Sequence, residues 1–470
     1  MKFWLLIFGI LYAGALGFLA WRSRQRNNST EDFILGGAKL GLIIGLLTTA
    51  ATLFSTFTLQ GMPDFFRNHG VGSWIFLAVS DGGLIFCIVW FAYHLRKKAA
   101  QKGYQGMGGL MRSCYEHPLA GIVYFIGVCI FLVPYVAIQI RGIGIFLEAT
   151  FPDALPGWGW GLVVLGIMLV YSETGGLKAI IFADVMQGVL LLIVVWVIAV
   201  SCVSQLGGVS AMFEQVENMN PALLSVPGPK GLFLPIFLIA SFLSITLIPV
   251  TQPQITTRLV IMKDIKKTHR MAVALGFFAM IVILPTIAIG MYGAVRYSEA
   301  STPEFLGQAL LYDQAGLVAA AAIIGLLAAA ISTSDSQIFA LGSELRSLLQ
   351  DKNEKRVLLI TKVFIVVFAA IAYVFSLNSN DQLAILALTA FAGTGLLGPM
   401  IIAGILRKHP PGLEIVIATG LGLLTFLLSL LKLLPFSSGN WRQDWVVIMI
   451  VLSVVALGSS VLRNEEKSSQ

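Results

Sequence analysis

The chain has 470 residues, of which 57% are hydrophobic and only 12% charged, and its mean hydropathy is +0.86. A soluble globular domain carries about 25% charged residues, so this composition excludes a water-soluble fold and describes an all-α polytopic membrane protein. The net charge of +7 is weak support for a nucleic-acid partner, because the basic residues flank apolar runs and form no patch.

A helix needs about 20 apolar residues to cross a bilayer. On that rule about 13 spans are expected, near 3–21, 40–62, 72–93, 118–148, 157–171, 179–204, 232–257, 271–293, 315–343, 357–377, 382–406, 412–433 and 444–462. Met1–Trp21 runs long and reads as a retained leading helix, not as a cleaved signal. The other spans are numbered core helices 1 to 12. Basic clusters stand at Arg22/Arg24/Arg26, Arg96-Lys97-Lys98, Lys263/Lys266/Lys267/Arg270, Lys352/Lys355/Arg356, Arg407-Lys408 and Arg463/Lys467. With the N-terminus outside, every cluster falls on one side, and the positive-inside rule puts the C-terminus in the cytoplasm. The four cysteines are scattered and the five histidines form no HExxH or similar cluster, so neither a disulfide framework nor a zinc site is expected.

The expected organisation is a leading helix in residues 1–30, a five-helix set in 31–204, an outer loop in 205–231, a second five-helix set in 232–406, and two trailing helices with a short tail in 407–470. Core helix 1 is interrupted, with Thr48-Thr49, Thr52, Ser55-Thr56, Thr58, Gln60-Gly61 and Pro63 inside one span. Core helix 6 matches it, with Ser244, Thr246, Pro249, Thr251 and Gln252-Pro253-Gln254. Proline removes a backbone donor and breaks a helix. Interrupted segments at corresponding places in two halves point to an inverted-repeat transporter with a midplane site. Ser55, Thr56, Thr58 and Gln60 either line a solute pocket or belong to ordinary small-residue helix packing.

Farther along, Asp81 on core helix 2 and Gln139 and Arg141 on core helix 3 are polar groups within apolar runs. Arg141 is either a snorkelling end residue or a buried clamp for an anion, since a guanidinium binds a carboxylate in bidentate fashion. If Asp81 and Arg141 share a pocket, a zwitterion such as an amino acid fits; if they face each other, they merely neutralise. Gly175-Gly176 reads as a tight turn between core helices 4 and 5. Asp184 lies inside core helix 5, six residues from Lys178 and therefore on another face.

Core helix 8 carries Ser332-Thr333-Ser334-Asp335-Ser336 directly after an apolar stretch from Leu317 to Ile331. Polar groups at membrane depth are expensive and face the bundle interior. Oxygen ligands of this kind suit hard cations, with sodium the prime candidate. Ser332, Asp335 and Ser336 share a helix face. A second cation position shared by Asp184, Asp335 and Ser336 is also expected. The plainer reading is hydroxyls bonding back to their own helix.

The string Tyr171…Gly175-Gly176-Leu-Lys-Ala…Asp184…Gln187 resembles the signature of the sodium/solute symporter family. Core helix 1, Gln252-Pro253-Gln254…Arg258 and the Ser332-Thr333 pair match that family in order. The resemblance implies a LeuT-type inverted repeat of five plus five helices. It implies a main sodium site made of the Ser332 and Thr333 side chains and the Ala51, Phe54 and Ala329 carbonyls. It further implies a second sodium position at Asp184 and Ser336, so one or two Na+ ions accompany each solute. The chain departs from the family pattern at Ser334-Asp335, where Leu-Ala or Leu-Ser is usual. It also departs at Leu53, where proline-type members carry an aspartate, and at Ile248-Pro249, where sugar carriers have an aromatic gate.

On these grounds the expected activity is sodium-coupled import of a small organic solute, preferably a carboxylate or an amino acid, by alternating access. The alternatives are proton coupling through Asp335 or Asp184 and sodium/sugar symport, the latter disfavoured by Phe391 on core helix 10. Solute-lining candidates are Ser55, Thr56, Thr58, Gln60, Asp81, Gln139, Arg141, Gln252 and Phe391. No nucleophile–base pair suggests an enzyme, no filter-like repeat suggests a channel, and the chain ends too soon after its last span for a sensor's output domain. The expected setting is a bacterial-type inner membrane, with a monomer or weak oligomer in the bilayer.

Overall fold

The computed structural model describes residues 1–24, 39–349, 353–379, 383–434 and 439–468. Arg26 and Lys352, both members of the expected basic clusters, lie outside these residues. All named elements are helices, and the single β-type contact among the described residues is a bridge between Leu40 and Met262.

The first half of the bundle runs α1 (Lys2–Arg24), α2 (Leu42–Leu53), α3 (Met62–His69), α4 (Ser80–Lys102), α5 (Met107–Tyr115), α6 (Pro118–Thr150) and α7 (Gly157–Gln205). A short helix α8 (Val209–Met219) occupies the expected loop. The second half runs α9 (Pro235–Thr246), α10 (Pro253–Ile261), α11 (Ile265–Arg296), α12 (Thr302–Gly307) and α13 (Gly316–Leu348). It continues with α14 (Glu354–Asn378), α15 (Leu383–Gly395), α16 (Gly398–Leu406), α17 (Leu413–Leu430) and α18 (Trp441–Ser468).

Among the described residues, ten helices are long and apolar enough to cross a membrane, or eleven with the bent pair Leu42–Leu53 and Phe57–His69. The expected spans near 157–171 and 232–257 correspond to the shorter apolar helices Gly157–Val170 and Pro235–Thr246. Large aliphatic side chains cover the outer faces; on α14 alone Leu359, Val363, Val366, Val367, Ile371 and Val374 are exposed. A soluble monomer does not tolerate so large an apolar surface, so these faces meet lipid. The helices differ in depth: 72% of the apolar window of α13 is buried, against 11% for α1. The span Leu383–Leu406 is as deeply buried as α13, and on α13 the small residues Ala319, Ala320, Ala322 and Ala328–Ala330 let α7 pack closely along it.

Both expected interruptions are present. The helix pair α2 and α3 bends by 59°, and the break lies at Phe54, which is extended (φ −93, ψ 110). Pro63 is not the cause of that break: it lies beyond it, inside the continuous helical segment Phe57–His69 and directly after the π-helical turn Phe57–Gly61. The second interruption runs from Leu247 through the single turn Ile248–Thr251 to Gln252, which is extended, with Pro253 opening α10. In α7 the bend falls at Gly176, with φ 62 and ψ −175. That backbone region is essentially reserved for glycine and costs other residues on the order of 1–3 kcal/mol. Gly176→Val should accordingly destabilise the protein by about that amount, read as a lower thermal midpoint in detergent. An unchanged midpoint would show that the bend adopts another geometry.

Candidate functional site

The break in α2 frees main-chain groups, and neighbouring side chains take up the donors. The Ser55 amide donates to Thr58 Oγ1 at 3.1 Å, the Thr56 amide to Gln139 Oε1 at 3.2 Å, and the Phe57 amide to Ser55 Oγ at 3.1 Å. Gln139 Nε2 reaches Ser55 Oγ at 3.4 Å, and Gln60 Nε2 donates to the Gly142 carbonyl at 3.1 Å. An unpaired buried donor costs about 1–3 kcal/mol, so this network holds the break in place. A side chain at Gly142 would collide with Thr56 and Gln60. Ser55, Thr56, Thr58, Gln60 and Gln139 thus tie the break to α6 and are all buried.

The break abuts the middle of α13. Ser332 Oγ lies 3.0 Å from the Ala51 carbonyl oxygen and 2.6 Å from Asp184 Oδ1. Thr333 Oγ1 donates toward the same carbonyl at 3.4 Å. Phe54 sits at the break itself and Ala329 one turn before Ser332–Thr333, both buried. Carbonyl, hydroxyl and carboxylate oxygens from α2, α7 and α13 therefore converge, and every donor atom is a hard oxygen suited to a cation such as Na+.

Behind this group stands a buried ion pair. Arg258 Nη2 contacts Asp184 Oδ2 at 2.7 Å, with side-chain exposures of 1% and 0%. The same nitrogen donates to Ser336 Oγ at 2.7 Å, Nε donates to Thr48 Oγ1 at 3.0 Å, and Nη1 donates to the Gln254 carbonyl at 2.8 Å. Thr48 Oγ1 in turn donates to Asp184 Oδ2 at 2.6 Å. A guanidinium therefore bridges Asp184 and Ser336, the two residues expected to share a second cation. Asp335 is buried next to Ser336. Arg258 appears in the sequence as part of a motif with no role attached. Its one signal was an arginine inside an apolar stretch, a pattern that marks functional pairing at membrane depth.

A separate cavity of about 50 Å³ lies beside the break. It is lined by Leu53, Phe54, Phe57, Met62, Phe76, Leu77, Asp81, Leu84, Ile85, Tyr135, Ile245, Ile248, Leu275, Ala279, Ala384, Ala387, Leu388 and Phe391. Both halves of the chain contribute. Of the solute-lining candidates, Asp81 and Phe391 are on this wall. Gln252 is not: its Oε1 accepts from Gln254 Nε2 at 2.6 Å. Arg141 is elsewhere too. It faces a different cavity of about 920 Å³, shared with Glu148, Trp158, Glu304 and Tyr312, and its Nη1 lies 3.5 Å from the Ser376 carbonyl. Asp81 and Arg141 neither share a pocket nor neutralise each other. The lining aromatics Phe57, Phe76 and Tyr135 were not singled out, because an aromatic residue at helical spacing looks like core packing.

The model of the sodium:solute symporter family matches residues 33–408, most of the chain. The chain belongs to the sodium:solute symporter family. The osmoregulated proline transporter OpuE of Bacillus subtilis is 25% identical, covering 98% of this chain and 95% of its own length. The sodium/pantothenate symporter of Haemophilus influenzae is 22% identical over 83% of this chain and 81% of its own. A solved structure of a Na+-coupled sialic acid symporter, in a substrate-bound outward-open state, superposes with a TM-score of 0.79 at 15% identity, covering 97% and 98% of the two chains. The LeuT-type fold expected from sequence is thereby established. This family member is a transporter that moves a small solute together with sodium across the plasma membrane, and not an enzyme.

The ion pair makes a direct test of this geometry possible. Removing one partner of a buried pair leaves a bare charge and costs about 3–5 kcal/mol. Arg258→Met should lower stability by that order, and adding Asp184→Asn should recover part of the loss. Thermal melting of the two purified variants reads this, and additive losses would show that the pair is not coupled.

Proposed function

We propose that the chain imports a small organic solute with sodium by alternating access, with the N-terminus outside, the C-terminus in the cytoplasm, and a monomer as the transporting unit. The observation that carries this reading is the convergence of the Ala51 carbonyl, Ser332, Thr333 and Asp184 oxygens at the break of α2. The Phe54 and Ala329 carbonyls complete the proposed ligand set. A sodium ion there joins the first repeat to the second, stabilises the outward-open state and preforms the solute cavity. Its departure to the cytoplasm loosens α2 from α13 and releases the solute.

One sodium per solute is the stoichiometry this arrangement favours. A second ion among Asp184, Asp335 and Ser336 has to displace the contact of Arg258 with Ser336. In this reading the two repeats are the five-helix sets 31–204 and 232–406, flanked by the leading and trailing helices. For the solute, an amino acid fits better than a bare carboxylate, because the central cavity contains the Asp81 carboxyl and no arginine. The relatives named for proline and pantothenate support a small organic solute.

Purified protein in proteoliposomes tests this reading, with labelled amino acids and with sodium and proton gradients imposed separately. Uptake should follow the sodium gradient with a Hill coefficient near 1. Ser332→Ala combined with Thr333→Ala should weaken the sodium dependence at least about tenfold, the loss of about 1.4 kcal/mol of ion binding. Uptake driven by protons and indifferent to sodium would overturn the coupling.

A further inference from the structure

The wall of the central cavity is chemically lopsided. Asp81 and the Tyr135 hydroxyl are its only oxygen-bearing side chains; the rest is hydrocarbon, apart from the Met62 thioether. Among the described residues Asp81 has no hydrogen-bond or ion-pair partner. A carboxylate on an apolar wall is costly unless a partner of opposite charge meets it.

The groups suited to selecting an anion are committed elsewhere. The Ser55, Thr56 and Phe57 amides at the break are taken by Thr58, Gln139 and Ser55 side chains. Arg258 is bound to Asp184 and Ser336, and Arg141 opens onto the other cavity. The remaining surfaces are aromatic: Phe54, Phe57, Phe76, Tyr135 and Phe391. Aromatic rings attract cations and repel anions.

We infer that the recognised element of the solute is a cationic nitrogen, with Asp81 as its counter-ion, and that a carboxylate on the same solute is dispensable for binding. This rests on the solute-transport reading of the cavity. The size of the cavity, about 50 Å³, restricts the solute to a compact apolar body, since one water needs about 10–15 Å³ by the same kind of measure.

Three probes of one shape separate the alternatives: isopropylamine (cation), 2-aminoisobutyrate (zwitterion) and isobutyrate (anion). Each is titrated into the purified full chain by calorimetry, in sodium chloride and in potassium chloride. The amine and the zwitterion should bind and the anion should not. Asp81→Asn should weaken both at least about tenfold, and Asp81→Glu should restore part of the affinity. Binding of isobutyrate with no binding of the amine overturns the inference. So does unchanged amine affinity in folded Asp81→Asn, and so does silence of the amine, whether or not the zwitterion binds. Amine binding that ignores the choice of salt would leave the Asp81 assignment standing and remove the sodium coupling. A calorimetric response to sodium alone, with no amine binding, would do the reverse.

Discussion

The centre of this structure is the salt bridge between Arg258 and Asp184, and the surrounding helices are arranged around its needs. Each ion is almost wholly removed from solvent, where an unpaired charge costs several kcal/mol. The carboxylate therefore collects hydroxyls from Thr48 on α2 and Ser332 on α13, while the guanidinium collects Ser336 on α13 and the Gln254 carbonyl of its own helix. Four helices are pinned at one point. The candidate sodium ligands belong to this network: Ser332 touches both the Ala51 carbonyl and Asp184. A cation arriving there does not enter a preformed hole. It replaces a hydroxyl proton's contacts with its own charge, next to an anion that is already neutralised from the other side.

The break in α2 follows from the same requirement. An unbroken helix would keep the Ala51 and Phe54 carbonyls in its own hydrogen-bond ladder. The extended residue Phe54 opens the ladder. The amides released by the opening are then taken by Thr58, Gln139 and Ser55, so the exposed groups left at the break are acceptors. An acceptor-rich, donor-poor break suits a cation and disfavours an anion. The same asymmetry separates the sodium side of the break from the solute cavity beside it, where the only charge is again negative.

The class, the interrupted helices and the polar island on α13 were legible in the sequence because each is a departure from an apolar background. Hydroxyls and carboxylates are rare at membrane depth, so Ser332 to Ser336 and Asp184 stood out. The second interruption was legible through Pro249 and Pro253, while Pro63 did not mark the first, since a proline accommodated inside a helical segment and a proline breaking a helix look alike in a string of letters. The role of Arg258 was not legible. Its side-chain partners are 74 to 210 residues away along the chain, and no local pattern joins such distant positions. Arg141 showed the opposite failure: its apolar neighbours suggested a place in the central pocket, but it lines a different cavity. The aromatic wall was illegible for a third reason, because Phe57 and Tyr135 have the same spacing and chemistry as core residues.

The central helix connects these local facts over a long distance. At its middle α13 holds the oxygens of the candidate ion site, and three turns later its Glu344 accepts the Met107 and Gly108 amides at 2.8 and 2.6 Å. Ser347 accepts the Gly109 amide at 3.0 Å. A carboxylate at a helix N-terminus meets the positive end of the dipole, so α13 caps α5 with its own side chains. A continuous helix of 33 residues transmits displacement with little loss. Any movement of α13 that opens the ion site must therefore either carry α5 with it or break these three hydrogen bonds, two of them buried. The second course leaves a buried carboxylate unpaired, which is the costlier of the two, and so the ion site and the α5 end of the bundle are mechanically one unit.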